Sequence, residues 1–442
     1  MHRKVYLEAL VLYLLMWAAI GAHQPQKQLK SGRLSGSSVI FPVSGSVYPQ
    51  GYYYVTMSFG HPSKKYFLDI DTGSDLTWLQ CDAPCAQCTP APNSLYKPKS
   101  NLISCTHPVC TSLQGTNIPD CRDPNEQCDY KIDYADYGSS LGVLVKDSVS
   151  LNLTNGAVVA PQVVFGCGYN QEVIDSANRP FTDGVLGLGL GNSNILSQLR
   201  ALGVTRNVVG HCFSGQGGGF LFFGDDFLPK SGITWKKIST HHLKHYSLGS
   251  ADVRFGGQPT NIKGLEIVFD SGSTYSYFVS QAYKVIVSMI MENLNGKLKD
   301  AVEDKSLPMC WKGPKPFKSI RDAASYFKPL VLSFTNEKNV HFQMPPESYL
   351  IITGKGNACL GILNGDEVGL DDMNLIGDIS LQDKLVIYDN ERRRIGWAPA
   401  KCNRPSNVVR DYGDDFSLPS PADNGFWKNV TRSFWFAVGA MQ

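Results

Sequence analysis

The sequence predicts a mainly β protein made of two duplicated lobes that meet at one cleft. The chain has 442 residues, more than one ordinary core accommodates, which favours two domains. Residues 36–402 consist mostly of short β-prone runs separated by Gly, Pro, Asn and Asp. One combination of a turn and an apolar run occurs twice along this stretch. We therefore expect an N-terminal lobe at 36–232 and a C-terminal lobe at 233–402.

Strand-like segments recur throughout the two predicted lobes. The clearest β-prone runs lie at 52–57, 163–165, 220–223, 267–269 and 384–388. Two segments have helical spacing instead. One is 194–202, which Gly203 stops. The other should be capped by Ser280 and end at Gly296. Its apolar face would comprise Val285, Ile286, Met289, Ile290 and Leu294.

The repeated unit pairs an Asp-containing turn with a later apolar run that ends in Gly. Residues 71–74 read Asp-Thr-Gly-Ser at the end of an apolar strand, and an apolar-Gly run follows about 110 residues later at 183–189. In the second half, 270–273 read Asp-Ser-Gly-Ser, and the matching run follows about 105 residues later at 374–378. One such turn is weak evidence, but two at matching places indicate duplicated half-sites.

Asp71 and Asp270 are the candidate catalytic residues. A lone buried carboxylate is costly, so each needs compensation from its own turn. Gly73 and Gly272 allow a tight turn that brings backbone N–H groups to the carboxylate. In both turns a serine follows, Ser74 and Ser273, and can donate a further hydrogen bond.

If the two turns face each other, the carboxylates cannot both ionise easily, so they share one proton. The ionised carboxylate can then act as a general base toward a water molecule held between the pair. The protonated one polarises the scissile carbonyl and stabilises the tetrahedral species. This chemistry requires neither a metal nor a cofactor, and its substrates would be proteins or peptides.

With these two turns, the chain resembles the pepsin-like aspartic proteases. The resemblance spans about 45–402, and its motifs lie at 71–78, 270–273, 375–378, 388–390 and 395–399. More narrowly, 78–85, 165–168 and 207–212 are typical of the plant nucellin-like branch, as is the Cys-rich stretch after the first turn. The resemblance implies the bilobal pepsin-like acid protease fold with an active-site cleft between the lobes.

The resemblance also implies a flap hairpin, at 134–142, that closes over the substrate. Tyr134 takes the flap tyrosine position, and Trp78 takes the position that hydrogen-bonds this tyrosine in the family. The alternative is that both are core aromatics. Tyr137 stands where the family usually has Gly, and Ser271 stands where pepsins usually have Thr. Ser271 retains the hydroxyl that braces the two loops.

The N-terminus and the cysteines predict a secreted protein. Residues 1–22 have a basic start, an apolar run and small residues, as signal peptides do. Residues 23–35 would be a short propeptide or N-terminal arm. Of twelve cysteines, seven lie between Cys81 and Cys128, so at least one of these must pair outside the cluster if all are oxidised. Cys310 and Cys359 are expected to pair locally. Cys85 and Cys88 could instead bind zinc, but no second ligand pair has matching spacing.

Because secreted proteins can be N-glycosylated, the two sequons at Asn152 and Asn429 are candidate glycosylation sites. We expect the protein in the extracellular space or, on the same route, the vacuole. A formal net charge of +2 gives no reason to expect nucleic acid as a partner. We expect a monomer with no integral membrane span in the mature chain. Residues 403–442 would form a flexible tail, with a lipid-anchor signal as the alternative.

The sequence allows two hypotheses about whether the protein is catalytically active. The leading hypothesis is a secreted aspartic endopeptidase with an acid pH optimum. The rival is a catalytically weak or inactive protein of the same fold that binds and inhibits glycosidases, as some plant relatives do. Such relatives tend to have a damaged dyad or flap, whereas this chain keeps Asp71, Asp270 and Tyr134.

Overall fold

A computed structural model describes residues 37–84, 91–114, 121, 123–135, 138–172, 182–241, 244–335, 337, 339–370 and 372–403. The predicted signal peptide, the N-terminal arm, Asn429 and nearly all of the predicted tail lie outside the described residues. So do Cys85, Cys88 and Tyr137.

The described chain is mainly β, as the sequence predicts. The first half contains strands β1 (Val39–Ser46), β2 (Tyr52–Phe59), β3 (Lys64–Asp71), β4 (Trp78–Gln80), β5 (Asp129–Asp133), β6 (Ser139–Asn152), β7 (Val158–Val159), β8 (Gln162–Glu172), β9 (Gly184–Gly187), β10 (Val208–Phe213) and β11 (Gly219–Phe223). The second half begins with β12 (Thr234–Lys237), β13 (Ser247–Phe255), β14 (Gln258–Pro259), β15 (Leu265–Phe269), β16 (Ser276–Phe278), β17 (Lys299–Asp300) and β18 (Cys310–Lys312). It continues with β19 (Leu330–Phe334), β20 (His341–Met344), β21 (Leu350–Ile352), β22 (Ala358–Leu360), β23 (Ile362–Asn364), β24 (Met373–Ile376), β25 (Lys384–Asp389) and β26 (Arg394–Pro399).

Helices are few and short in the described residues. They are α1 (Pro108–Gln114), α2 (Ile195–Ala201), α3 (Ser280–Leu294), α4 (Ile320–Ala324) and α5 (Asp378–Leu381), with 3-10 turns at Pro346–Ser348 and Gly365–Val368. Within this part of the chain, none of the helices has the length and apolar character needed to cross a membrane.

Both helices predicted from spacing are present. In α2 the Asn194 side chain accepts a hydrogen bond from the Ser197 N–H, and the apolar face is buried. In α3 the buried residues include Ile286, Ile290 and Leu294, as predicted.

The predicted cap of α3 is wrong, because Ser280 is its first helical residue and Val279 precedes it without a side-chain cap. Asp366 supplies the acceptor instead: the Ser280 N–H donates to Asp366 Oδ1 at 3.0 Å. Asp366 therefore anchors the first turn of α3.

The largest sheet joins the N-terminal lobe to the end of the chain. Its strand order in the described residues is β12-β26-β25-β10-β11-β1-β2-β3-β9-β4-β8-β6-β5, with β7 beside β6. Strand β10 pairs antiparallel with β25, so the chain returns from the second half to complete this sheet. The rest of the second half forms a sheet of order β20-β19-β13-β15-β24-β16-β23, with β14 beside β13, and a smaller sheet of order β17-β18-β22-β21.

The repeated sequence unit forms the same arrangement in each lobe. Strand β3 pairs in parallel with β9, so Asp71 lies opposite Gly187. Strand β15 pairs in parallel with β24, so Phe269, the residue before Asp270, lies opposite Ile376. Each Asp-containing turn thus follows a central strand, β3 or β15. The apolar-Gly run of the same lobe forms the neighbouring strand, β9 or β24. The central position fixes the place and direction of both turns.

Disulfides in the described residues include both long-range and local bonds. Cys81 bonds to Cys167, so the Cys-rich cluster does pair outside itself. The other bonds in the described residues are Cys105–Cys121, Cys110–Cys128, Cys212–Cys402 and Cys310–Cys359. The last joins neighbouring strands β18 and β22. Asn152 is exposed at the end of β6.

Candidate active site

Two carboxylic acids from the two halves line one cavity of about 500 Å³. Asp71 is the last residue of β3, and Asp270 directly follows β15. Asp71 is 7% exposed and Asp270 is half-buried. The two carboxyl groups also face each other, since a Cβ atom placed on Gly272 would lie 2.5 Å from Asp71 Oδ1 and 3.3 Å from Asp270 Oδ1. The structure therefore brings together the two residues that the repeated turns single out.

Each carboxylate is held by its own turn. Asp71 Oδ1 accepts hydrogen bonds from the Gly73 N–H at 2.7 Å and the Ser74 N–H at 3.1 Å. The Ser74 hydroxyl donates to Asp71 Oδ2. Around Asp270, the Gly272 N–H donates to Oδ1 at 2.9 Å and the Ser273 hydroxyl donates to Oδ2 at 2.7 Å. These donors fix both carboxylates in one orientation.

The turn glycines also lie directly against the opposing carboxylate. A Cβ atom placed on Gly73 would be 2.6 Å from Asp270 Oδ1, and one on Gly272 would be 2.5 Å from Asp71 Oδ1. Neither glycine has a left-handed backbone conformation. Glycine is therefore required here for close approach and not for an unusual turn.

A buried hydrogen-bond brace locks the two turns together. The Thr72 N–H donates to Ser271 Oγ at 3.1 Å, and the Ser271 N–H donates to Thr72 Oγ1 at 3.0 Å. The Ser271 hydroxyl in turn donates to the Ile70 carbonyl at 2.8 Å. Since both side chains are at most 2% exposed, water does not compete for these bonds.

Removing the Ser271 hydroxyl should loosen this brace. We expect Ser271→Ala to destabilise the protein by about 1–3 kcal/mol, because the buried Thr72 N–H loses its acceptor. Its kcat/KM should fall too, since the two carboxylates are no longer held in register. Urea unfolding and peptide hydrolysis measure the two effects. Ser271→Thr, which keeps the hydroxyl, is the matched control, and unchanged stability in Ser271→Ala would contradict the brace.

Two residues that the sequence reasoning did not place in the site support the brace from behind. The buried Tyr388 side chain interacts with that of Thr72, which opposes the rise in the pKa of Tyr388 that burial causes. The Tyr388 hydroxyl also lies 3.2 Å from Nε2 of His211, another fully buried side chain. Strands β25 and β10, which carry them, are neighbours only in the folded sheet, so sequence spacing gives no sign of this contact.

Burial and mutual repulsion alter the acidity of the pair. Burial and then the negative charge of Asp270 raise the pKa of Asp71 from 3.8 to about 6, against the opposing effect of the Ser74 and Gly73 hydrogen bonds. Burial also raises the pKa of Asp270. The pair therefore retains a proton in mildly acid solution, where isolated aspartates would both be ionised.

This retained proton predicts the pH dependence of activity. As pH rises through about 6, the pair loses the proton that an acid catalyst requires, so kcat/KM should fall. Because the folded-state pKa lies above 3.8, the associated stabilisation is complete below 3.8 and is lost as pH rises through about 6. A kcat/KM profile and urea unfolding at several pH values measure both trends. A rate maximum well above neutrality would contradict the assignment.

The predicted flap contact is present in the described residues. The Trp78 Nε1–H donates to the Tyr134 hydroxyl at 2.7 Å, and both side chains line the cavity. Tyr134 directly follows β5, and its N–H donates to the Gly138 carbonyl at 2.8 Å. A core packing role alone would not require this polar contact at the cavity wall.

A possible metal-ligand group lies elsewhere and is already occupied by protein bonds. Asp304, Cys310 and Cys359 lie close together among the described residues. However, the two sulfurs form a disulfide. Asp304 Oδ2 accepts hydrogen bonds from Thr353 at 2.6 Å and Asn357 at 2.8 Å. This group therefore stabilises the fold and is not a metal centre.

Two further carboxylic acids adjoin the pair and were not predicted. Asp69 lines the same cavity, and Asp378 is 1% exposed at the start of α5. Burial raises the pKa of both groups well above 3.8, and the charge of Asp71 adds to the effect. The sequence signal for Asp69 was its spacing of two from Asp71, which places both on one face of a strand.

Comparison with known proteins gives consistent matches along the chain. Residues 53–225 match the family described as "Xylanase inhibitor N-terminal", and 242–399 match "Xylanase inhibitor C-terminal". An aspartic proteinase of Oryza sativa subsp. japonica is 44% identical over 381 residues, which is 83% of this chain and 92% of that protein. Aspartic proteinase 36 of Arabidopsis thaliana is 30% identical, with 83% and 78% covered.

Solved structures with the same fold are much more distant in sequence. Basic 7S globulin from soybean superposes with a TM-score of 0.64 at 17% identity, covering 82% of this chain and 95% of that one. Conglutin gamma from lupine seeds gives 0.64 at 18% identity, with 84% and 98% covered. At these identities the likeness bears on the two-lobed fold alone.

Proposed function

Because this chain belongs to the family of plant pepsin-like aspartic proteinases, we propose that it is an active endopeptidase that hydrolyses peptide bonds in proteins. The observation that carries the proposal is the pair of facing carboxylates in one cavity. Each is oriented by its own Gly and Ser donors, and the pKa values of both are raised.

The proposed reaction uses one proton held by the pair. A water molecule between Asp71 and Asp270 loses a proton to the ionised carboxylate while its oxygen attacks the scissile carbonyl carbon. The protonated carboxyl donates to the carbonyl oxygen, which gives a neutral tetrahedral species. The C–N bond then breaks as the leaving nitrogen takes a proton from the protonated carboxyl, and a hydroxyl of the tetrahedral species gives its proton to the other carboxylate, which restores the single shared proton. The Tyr134 segment would cover the bound peptide during these steps.

Several finer assignments belong to the same proposal. We assign the chain to the nucellin-like branch, with lobes at 36–232 and 233–402 and a glycan on Asn152. The five disulfides among the described residues support the secretory pathway, and we place the mature protein outside the cell as a monomer.

Cleavage of a denatured protein at mildly acid pH, with and without pepstatin, tests the proposal. We expect cleavage that pepstatin abolishes. Absence of cleavage, or robust cleavage that pepstatin leaves unaffected, would contradict it.

A second candidate function follows from the family description, which names a xylanase inhibitor. On that alternative the chain would bind a microbial glycosidase through its surface and would not need a working carboxylate pair. Adding the purified protein to a xylanase assay distinguishes the two. Our proposal predicts no loss of xylanase activity together with proteolysis, whereas xylanase inhibition without proteolysis would favour the alternative.

A further inference from the structure

The cleft contains a carboxylic acid that the proposed chemistry does not use. Asp69 lies two residues before Asp71 on strand β3, and alternate residues of a strand share a face. Both line the same cavity. Since a strand rises about 3.3 Å per residue, the Cα atoms of Asp69 and Asp71 are only about 7 Å apart. Asp69 therefore lies on the cavity wall next to the proposed catalytic pair.

The walls next to Asp69 are apolar and aromatic. Asp69 is paired with Val185 on β9, and Val185 is in turn paired with Trp78 on β4. Val185, Trp78 and Tyr134 all line the cavity. We call these four residues, Asp69, Val185, Trp78 and Tyr134, the Asp69 subsite. Its walls suit an aliphatic chain, and the carboxylic acid of Asp69 lies between them.

In the part of the chain that the structure describes, no lysine or arginine forms an ion pair with the Asp69 carboxyl. Its Oδ1 atom is buried without a hydrogen-bond partner among the described residues. Burial and then the negative charge of Asp71 raise the pKa of Asp69 well above 3.8, and the Ile70 N–H only partly opposes this. A buried acid in this state is stabilised when a positive charge approaches it.

The charges around the cavity have the same sign as Asp69. The described lining residues include five aspartates, at 69, 71, 133, 183 and 270, and one histidine, but neither lysine nor arginine. Asp133 forms an exposed ion pair with Lys131 at 2.8 Å. Asp183 Oδ2 accepts hydrogen bonds from the Phe67 N–H at 2.7 Å and the Asn93 side-chain amide at 2.7 Å. Such a cleft attracts cations.

We propose that Asp69 selects a lysine or arginine side chain in the substrate, at a residue directly flanking the scissile bond. The inference rests on the proposed function and names the substrate class for that same cleft. The aliphatic stem of the basic residue packs against Val185 and Trp78, and its charged end bonds to Asp69. The bound cation offsets both the cost of burying the Asp69 carboxylate and the repulsion between that carboxylate and Asp71.

Paired peptides test the assignment directly. Two otherwise identical peptides carry lysine or norleucine at the flanking position, so they share the stem and differ in the charge. We expect the wild-type protein to favour lysine by about tenfold or more in kcat/KM at mildly acid pH. Asp69→Asn should bring the ratio near one, and Asp69→Leu should reverse it. Asp82→Asn removes an exposed acid paired with Lys97 at 2.9 Å and should keep the lysine preference.

Binding to an inactive variant separates this inference from the proposed function. In Asp270→Asn, fluorescence anisotropy should give tighter binding of the lysine peptide, and adding Asp69→Asn should remove the difference. If the wild type cleaves both peptides equally, proteolysis stands and the role of Asp69 is overturned. If the wild type cleaves neither, the proposed function fails. Equal binding of the two peptides to Asp270→Asn would then overturn the Asp69 subsite as well.

Discussion

Replacing either Asp71 or Asp270 by asparagine should lower kcat by about 10²–10⁴-fold, the range expected for removing an acid–base group. Asparagine has the same shape but cannot take a proton from water or donate one as a carboxylic acid. Either substitution therefore removes one half of a pair in which both members are needed. Peptide hydrolysis at mildly acid pH measures the loss.

The same substitutions should not unfold the protein. Since burial raises the pKa of both acids, their ionised forms oppose folding above about pH 6. Asp71→Asn and Asp270→Asn should thus be at least as stable as the wild type at neutral pH, as urea unfolding would show. Asp82→Asn, at an exposed ion pair, controls for the change in charge. Substantial turnover in either dyad variant would mean that another group activates the water.

The second large effect is expected at the turn glycines. Gly73→Ala and Gly272→Ala would each place a methyl group within 2.6 Å of the opposing carboxylate oxygen. Because the backbone at both positions is accessible to alanine, the carboxylates must move apart rather than the turn unfold. A displacement of about 1 Å can cost about 10²-fold in rate. We therefore expect at least that loss in kcat/KM, measured with the same peptide.

Gly354→Ala is the matched control for the glycine variants. Gly354 is exposed, and a Cβ atom there would meet no other atom within 4 Å. It should retain wild-type activity and stability. Wild-type kcat/KM in Gly73→Ala would contradict the close contact between each turn and the opposing acid.

The dyad was predictable because its signals are local and occur twice. Each turn carries Asp, Gly and Ser in consecutive order, and the apolar-Gly runs recur at matching spacing. Strand-like runs such as 220–223 and 384–388 likewise follow from local composition, and both are strands in the structure. The resemblance to pepsin-like proteases supplied the Trp78–Tyr134 contact that local patterns could not.

Long-range pairing explains what the sequence did not predict. The α3 cap is Asp366, 86 residues from Ser280, so a local capping rule chose the wrong side chain. Tyr388 reaches Thr72 only because β25 joins a sheet formed largely by the first half. Asp69 stood within a run treated as an apolar strand, although its spacing of two from Asp71 places it on the strand face that lines the cavity.

The central claim is that Asp71 and Asp270 form one working catalytic site per chain. Active-site titration of the purified mature protein with pepstatin tests it most directly. The rate of peptide cleavage should fall linearly and reach zero at one equivalent of pepstatin per chain, and cleavage by both Asn variants should be lower by about 10²–10⁴-fold. A rate that pepstatin does not reduce, or cleavage that persists in Asp71→Asn, would contradict the claim.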